Sequence, residues 1–179
     1  MSSQMIVTSS QGFEPNSNSL IIFDRDNTLS KDFGPMNGQS DCIILPNVID
    51  GLLLLTNISP VLAIATNQSY VGRGQLTLQE VKDFHIKLLK ILQENGISVN
   101  LIAICPHAPW DDCLCRKPKP GLLNKLIEIS KVQNRNRIFF VGDKDSDLKA
   151  ATNAGIQGLK LDATNFLSTC EFIKSQLIS

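Results

Sequence analysis

The order of apolar runs and amphipathic stretches narrows the possible folds of this chain more than any other property. The runs have the length of buried strands and cover residues 20–23, 61–65, 101–104, 138–141 and 158–161. Helical periodicity covers residues 48–56, 78–95, 122–130, 147–154 and 166–177. Strands that alternate with helices form parallel sheets, because each helix returns the chain to the same end of the sheet. The sequence therefore predicts a three-layer α/β/α sandwich built on a doubly wound parallel sheet.

Composition sets the domain count and excludes some partners. A chain of 179 residues that is 42% hydrophobic can bury one core, and we expect one domain over residues 19–179. Residues 1–18 predict a flexible N-terminal tail without a signal-peptide pattern, although residues 5–7 could add a short strand. The formal net charge of zero argues against a nucleic-acid partner, and no segment has the ~20 apolar residues of a membrane span. We expect a monomeric, cytoplasmic protein whose Cys side chains are thiols or metal ligands.

Two carboxylates follow the first apolar run directly. Asp24 and Asp26 are separated by one residue, and alternate side chains of an extended segment point the same way. Both acids can therefore face one site at the carboxyl end of the strand, where open α/β sheets bind their ligands. Adjacent carboxylates repel unless a cation lies between them or one is protonated. This pair predicts either a Mg²⁺ site or a nucleophile beside a general acid.

Each later strand also ends in polar side chains suited to a phosphoryl group. Residues 66–69 (Thr-Asn-Gln-Ser) offer hydrogen-bond donors, and Arg116 and Lys117 offer fixed positive charge after the third run. Asp143 follows the fourth run and is placed as a metal ligand. Compensation of the helix dipole is a sufficient explanation for Asp145 and Asp147.

A cluster of Cys and His follows the third run, in the loop 105–115. Cys105, His107, Cys113 and Cys115 can surround Zn²⁺ tetrahedrally and leave no open position, so we expect a structural zinc. His85 lies within the predicted helix 78–95, where a histidine with satisfied hydrogen bonds is expected rather than a ligand.

The ordered motifs resemble those of the haloacid-dehalogenase-like (HAD) phosphohydrolases. Asp24, Asp26 and Thr28 match the first motif, and the others match at Thr66, Lys117 and Gly142-Asp143. The resemblance implies that Asp24 is the nucleophile, that Asp26 is the general acid and base, and that Thr66 and Lys117 stabilise the phosphoryl group. It further implies a Mg²⁺ held by Asp24, the main-chain carbonyl of Asp26, and Asp143.

The zinc loop and the Arg116-Lys117-Pro118 segment resemble the capless, zinc-containing subgroup that acts on heptose bisphosphate or histidinol phosphate. This resemblance implies no large cap domain and a small phosphorylated substrate. D-glycero-D-manno-heptose 1,7-bisphosphate is the first choice, and histidinol phosphate or another sugar phosphate is the alternative. The implied substrate-binding residues are Arg25, Asp32, Phe33, Gly34, Pro35, Asn67, Gln68, Ser69, Arg116 and Lys144.

Some residues depart from the subgroup, and other functions stay open. Asn27 stands where Gly is usual, which Asn tolerates because it accepts left-handed backbone angles. Tyr70 replaces a small residue, and the five-residue spacer between His107 and Cys113 favours the histidinol enzymes. A phosphoacceptor signalling receiver is the alternative from another class, although its accepting Asp would follow a middle strand. A polynucleotide 3′-phosphatase is disfavoured by the neutral charge.

Overall fold

The central sheet of the protein has six strands in the part of the chain that its computed structural model describes, residues 4–35, 41–162 and 164–178. The strands are β1 (Ile6–Ser9), β2 (Leu20–Phe23), β3 (Val61–Asn67), β4 (Leu101–Cys105), β5 (Ile138–Gly142) and β6 (Gln157–Lys160). Their order across the sheet is β1-β4-β3-β2-β5-β6. All neighbours are parallel except β1, which runs antiparallel to β4. The predicted fold class is confirmed, with one antiparallel edge strand added.

Strand β1 (Ile6–Ser9) overlaps residues 5–7, where the sequence left a short strand open within the expected flexible tail 1–18. Ile6 pairs with Ile104, and the pairing continues to Ser9 opposite Leu101. An edge strand buries only part of its surface, so a few apolar residues such as Ile6 are enough to hold it. Residues 1–3 of that segment, and residues 36–40 further along the chain, lie outside the described residues.

Helices cover both faces of the sheet. They are α1 (Val48–Thr56), α2 (Ser69–Gly72), α3 (Leu78–Glu94), α4 (Gly121–Ser130), α5 (Asp145–Ala154) and α6 (Phe166–Ile178). Helices α1, α3 and α6 pack with Ile21 and Phe23 on one face. Helices α4 and α5 pack with Leu20 and Ile22 on the other face. The strict alternation along β2 therefore buries both faces of this strand, which makes β2 the centre of the fold.

The start of α3 follows its sequence signal. Thr77 Oγ1 accepts a hydrogen bond from Glu80 N at 3.2 Å, and Thr77 N donates to Glu80 Oε2 at 2.7 Å. This capping box fixes where α3 begins. The helix thereby presents Phe84 and His85 toward the loop that follows β2.

Candidate active site

The loop after β2 brings Asp24 to the edge where the five parallel strands β2–β6 end. Asp24 N donates to Val141 O at 2.8 Å, which continues the β2–β5 pairing for one more residue. The Asp24 side chain is only 5% exposed. Asn27 then turns the chain with a φ of 57°, the left-handed conformation predicted to be tolerable there.

Lys117 joins two carboxylates at this edge. Its Nζ donates to Asp24 Oδ1 at 2.7 Å and to Ala65 O at 3.0 Å, and it lies 2.8 Å from Asp147 Oδ1. Burial opposes the charge of the ammonium group, but Asp24 and Asp147 together raise the pKa of Lys117 above its usual value. Lys117 is therefore a fixed cation beside the predicted nucleophile.

The Asp24 carboxyl group is electrostatically perturbed. Burial raises its pKa to about 6, and the charges of Asp147 and Asp26 act in the same direction. Lys117 opposes this rise. A buried carboxylate with one lysine partner keeps a lone pair that no strong donor neutralises, which suits a nucleophile.

Asn67 holds the backbone of Lys117 with both ends of its amide. Asn67 Nδ2 donates to Lys117 O at 3.1 Å, and Lys117 N donates to Asn67 Oδ1 at 3.1 Å. Strand β3 continues through Thr66 and Asn67, beyond the predicted end at residue 65. The end of β3 therefore positions the loop that carries Lys117.

Asp26 is surrounded by donors. Arg25 Nε donates to Asp26 Oδ1 at 2.8 Å, and Gln68 Nε2 donates to Asp26 Oδ2 and to Thr66 Oγ1, each at 2.8 Å. Burial alone would raise the pKa of Asp26, but the charge and hydrogen bonds of Arg25, with Gln68, hold it below its usual range. Asp26 is thus an oriented carboxylate at the rim of the site.

Three carboxylates form a group that could hold a divalent cation. Oxygen atoms of Asp24, Asp143 and Asp147 lie within 4.8 Å of one another. Asp143 Oδ1 is buried without a hydrogen-bond partner in the described residues, which fits a ligand for a hard cation such as Mg²⁺. A Cβ on Gly142 would lie 2.5 Å from Asp147 Oδ2, so the absence of a side chain at Gly142 admits this carboxylate.

Asp147 is a site residue that the sequence reasoning assigned only to the helix dipole. It is 1% exposed, pairs with Lys117, and accepts a hydrogen bond at Oδ2 from Lys144 N at 3.0 Å. Asp143 lies outside the helix, which begins at Asp145, so the spacing of the two acids alone does not show that they face one site.

A cavity of about 300 Å³ opens above these groups. Ten of the site residues predicted from the sequence line it, namely Asp24, Asp26, Asp32, Gly34, Asn67, Gln68, Ser69, Arg116, Lys117 and Lys144. Residues not predicted to bind substrate also line it, namely Tyr70, Arg73, Ser146 and Asp147. The Tyr70 hydroxyl lies against Gly34, where it narrows the cavity beside the predicted substrate loop.

Other predicted residues lie elsewhere. Arg25 is 2% exposed and does not line the cavity, because its guanidinium lies against Phe84 and His85. Its assignment to substrate binding stays a prediction. Phe33 and Pro35 do not line the cavity, and the Phe33 ring contacts Lys31 instead. Thr66 is fully buried below the cavity and contacts Gln68.

The predicted zinc ligands converge. Cys113 Sγ lies 3.7 Å from Cys105 Sγ and 3.6 Å from Cys115 Sγ. His107 Nδ1 lies 3.4 Å from Cys105 Sγ and 3.1 Å from Cys115 Sγ. Ligand atoms around tetrahedral zinc are roughly 3.5–3.8 Å apart, by geometry from the usual Zn–S and Zn–N lengths. The donor set and its spacing fit zinc.

The Cys/His loop also supports the cavity wall. Arg116 follows Cys115 directly, and its Nη1 lies 3.4 Å from His107 O. Gly72 of α2 packs so closely on this loop that an added Cβ would lie 2.3 Å from Ala108 N. The loop is therefore fixed between α2 and the segment that carries Arg116 and Lys117.

Comparison with known proteins assigns the family. A family model described as Polynucleotide kinase 3 phosphatase matches residues 19–158. The chain belongs to this family. It is a HAD-like phosphatase, and the prediction from the motifs is confirmed.

The relatives of this HAD phosphatase include heptose-bisphosphate phosphatases and histidine-biosynthesis proteins. It is 39% identical over 136 residues to the D-glycero-beta-D-manno-heptose-1,7-bisphosphate 7-phosphatase of Pseudomonas aeruginosa, covering 75% of this chain and 76% of the relative. It is 34% identical over 150 residues to the histidine biosynthesis bifunctional protein HisB of Blochmanniella floridana, covering 82% of this chain but 42% of HisB.

Solved structures agree with this assignment. The D,D-heptose 1,7-bisphosphate phosphatase of B. bronchiseptica, complexed with magnesium and phosphate, superposes with a TM-score of 0.75 at 26% identity. The match covers 88% of this chain and 99% of that one. A HAD-like protein of Mesorhizobium loti has the same fold, with a TM-score of 0.80 at 21% identity over 96% and 94% of the two chains. Among the described residues of this HAD phosphatase, no helix is both long enough and apolar enough to cross a membrane.

Proposed function

We propose that this protein is a magnesium-dependent phosphomonoester hydrolase that removes the 7-phosphate of D-glycero-D-manno-heptose 1,7-bisphosphate. The observation that carries the proposal is the buried group in which Lys117 bridges Asp24 and Asp147 beside Asp143. Such a group combines a nucleophile, a fixed cation and a metal site at one edge of the sheet. The heptose enzymes of P. aeruginosa and B. bronchiseptica support the substrate.

In the proposed first step, an Asp24 oxygen attacks phosphorus, and the bond from phosphorus to the alcohol oxygen breaks. Asp26 must carry a proton for this step, and the negative charge of the bound phosphate opposes the lowering of its pKa by Arg25. Asp26 then gives this proton to the departing oxygen, and an aspartyl-phosphate remains. Lys117 orients the Asp24 carboxylate and offsets negative charge on the phosphoryl oxygens. Asn67 keeps Lys117 in place during this step.

In the second step, Asp26 takes a proton from water, and the water oxygen attacks phosphorus. The bond from Asp24 to phosphorus breaks, and inorganic phosphate leaves with Asp24 regenerated. Arg73, Arg116 and Lys144 line the cavity and supply positive charge for the rest of an anionic substrate.

Two metals belong to the proposal. Asp24, Asp143, Asp147 and the main-chain carbonyl of Asp26 would hold Mg²⁺. When bound, this ion supplies Lewis-acid charge that reduces repulsion between carboxylate and phosphate. Cys105, His107, Cys113 and Cys115 would hold a structural Zn²⁺.

Histidinol phosphate is the second candidate substrate. The 34% identity with HisB and the short spacer between His107 and Cys113 favour it. Cytoplasmic location and a monomeric state stay predictions.

The nucleophile is tested with Asp24→Asn. We expect phosphate release to fall about 10⁴-fold or more, as for other essential nucleophiles, with an unchanged circular dichroism spectrum. Asp83→Asn, on the exposed part of α3, is the matched control and should keep full activity. Substantial turnover by Asp24→Asn would refute the assignment.

The substrate is tested by measuring kcat/KM on one preparation. The panel contains heptose 1,7-bisphosphate, histidinol phosphate and an oligonucleotide with a 3′-phosphate. We expect the heptose compound to have the highest kcat/KM. A preference for either other compound would overturn the substrate and leave the phosphatase chemistry intact.

A further inference from the structure

Arg25 lies beneath Asp26, on the side away from the cavity. Its Nε donates to Asp26 Oδ1 at 2.8 Å, and its Nη2 donates to Asp26 Oδ2 at 3.0 Å. The guanidinium fork therefore contacts both carboxylate oxygens and fixes the plane of the carboxyl group. The side chain of Arg25 is 2% exposed, whereas that of Asp26 is 13% exposed toward the cavity.

The other side of Arg25 packs on helix α3. Its Nη1 lies 3.4 Å from His85 Nε2, and its guanidinium carbon lies 4.7 Å from the centroid of the Phe84 ring. Both α3 residues are buried. A buried guanidinium needs an acceptor for each N–H it turns away from its carboxylate. Neutral His85 provides that acceptor, and Phe84 provides an aromatic face.

The protonation of His85 supports this role. Burial, and then the positive charge of Arg25, lower the pKa of His85 to about 3. The imidazole is therefore neutral at physiological pH, and its Nε2 lone pair can accept from Arg25. A charged His85 would repel the guanidinium instead.

We propose that Arg25 and His85 are positioning residues that aim the Asp26 carboxyl group at the leaving-group oxygen. This inference rests on the proposed function, in which Asp26 transfers the proton. Helix α3 sets the guanidinium through His85 and Phe84, and the guanidinium sets Asp26. Loss of the His85 acceptor leaves the Nη1 side of the guanidinium without a partner. Arg25 can then rotate and move the Asp26 carboxyl group out of line with the leaving-group oxygen.

The test uses the leaving group as the readout. An alkyl phosphate needs a proton on its departing oxygen, whereas p-nitrophenyl phosphate releases a phenolate that needs none. We expect His85→Leu to lower kcat/KM about 10-fold or more for the alkyl phosphate, as a misplaced proton donor does. For p-nitrophenyl phosphate the loss should stay below about 2-fold, since nucleophile and cation are intact.

Two further variants sharpen the test. His85→Gln keeps a neutral acceptor near Arg25 and should retain most of the activity on both substrates. Arg25→Lys keeps the charge but loses the fork, and it should reproduce the selective loss. Arg25→Lys tests the same positioning role if His85→Leu does not fold. Equal losses on both substrates, or no loss on either, would overturn the positioning role.

Asp26→Asn separates this inference from the proposed function. A selective loss on the alkyl phosphate supports Asp26 as the acid. If Asp26→Asn is selective and Arg25→Lys and His85→Leu are not, only the positioning role fails. If Asp26→Asn itself shows no selectivity, the proposed role of Asp26 fails.

Discussion

Lys117 Nζ lies 2.8 Å from Asp147 Oδ1 and 2.7 Å from Asp24 Oδ1, so one buried ammonium group is shared by two carboxylates. The chain segments that carry these residues follow three different strands. Their side chains meet because parallel strands end at the same edge of the sheet. Asp147 therefore balances the charge of the lysine that contacts Asp24, the proposed nucleophile.

Replacement of Asp147 by Asn should weaken magnesium binding about 10- to 100-fold and lower kcat accordingly. The amide removes a negative charge from the group formed with Asp24 and Asp143. The measurement is the dependence of the rate on magnesium concentration.

Asp145→Asn is the control for this change, because Asp145 begins the same helix but is exposed and pairs with Lys160. It should leave the magnesium dependence unchanged. Equal effects of the two substitutions would show that Asp147 acts only through the helix dipole.

Much of this site could be predicted because apolar runs mark where strands end. Asp24, Lys117 and Asp143 follow such runs, and the sheet brings them together. Asp147 was missed because its contact with Lys117 depends on the path of a loop thirty residues earlier in the chain. An acidic residue in the first turn of a helix has a sufficient local explanation, and local patterns carry no long-range distance.

Arg25 and strand β1 show two other limits. In an extended segment, alternate side chains point to opposite sides, so Arg25 should point away from the site that Asp24 and Asp26 face. The family resemblance nevertheless implied that Arg25 binds the substrate. The structure follows the alternation. Strand β1 is half exposed, so its sequence has little apolar periodicity. Its pairing with β4 comes from the free edge of a sheet that forms elsewhere in the chain.

Replacement of Asn67 by Asp should lower kcat/KM about 10-fold, because a small displacement of a catalytic cation is costly. The carboxylate can still accept from Lys117 N, but it cannot donate to Lys117 O and repels that carbonyl. Asn95→Asp makes the same chemical change at the exposed end of α3 and should leave kcat/KM unchanged. Steady-state kinetics compare the two, and matched losses would exclude a specific role for Asn67.

Replacement of Cys113 by Ser should remove the zinc. Elemental analysis of untagged protein should give one zinc per chain for the wild type and none for the variant. We expect the variant to melt about 5 °C or more below the wild type, because metal binding contributes directly to folding. The KM should rise too, since the Cys/His loop holds Arg116.

Cys170→Ser distinguishes loss of zinc from loss of stability. Cys170 is a buried thiol of α6 that packs in the core of the other face. Its replacement should destabilise the protein and leave the zinc content unchanged. Wild-type protein without zinc would contradict the proposed metal site.

The pH dependence of stability should carry a contribution from His85. Its pKa falls from 6.5 to about 3 on folding, so below pH 6.5 the unfolded chain binds a proton that the folded protein does not. The contribution of His85 to the free energy of unfolding therefore rises with pH across the window from 3 to 6.5. The linkage amounts to about 3 kcal/mol between pH 4 and pH 7.

Asp24 titrates in part of the same window with the opposite sign. Its pKa rises to about 6 on folding, so between pH 3.8 and 6 the folded protein binds the extra proton and stability falls with pH. The wild-type profile alone therefore does not isolate His85. His85→Gln removes only the titration of the histidine. Urea unfolding at pH 4, 5, 6 and 7 gives the free energy of unfolding of both proteins. The wild-type value minus the variant value should decrease toward acid by the His85 linkage. A constant difference over that range would mean that folding does not lower the pKa of His85, which would contradict a buried neutral imidazole beside Arg25.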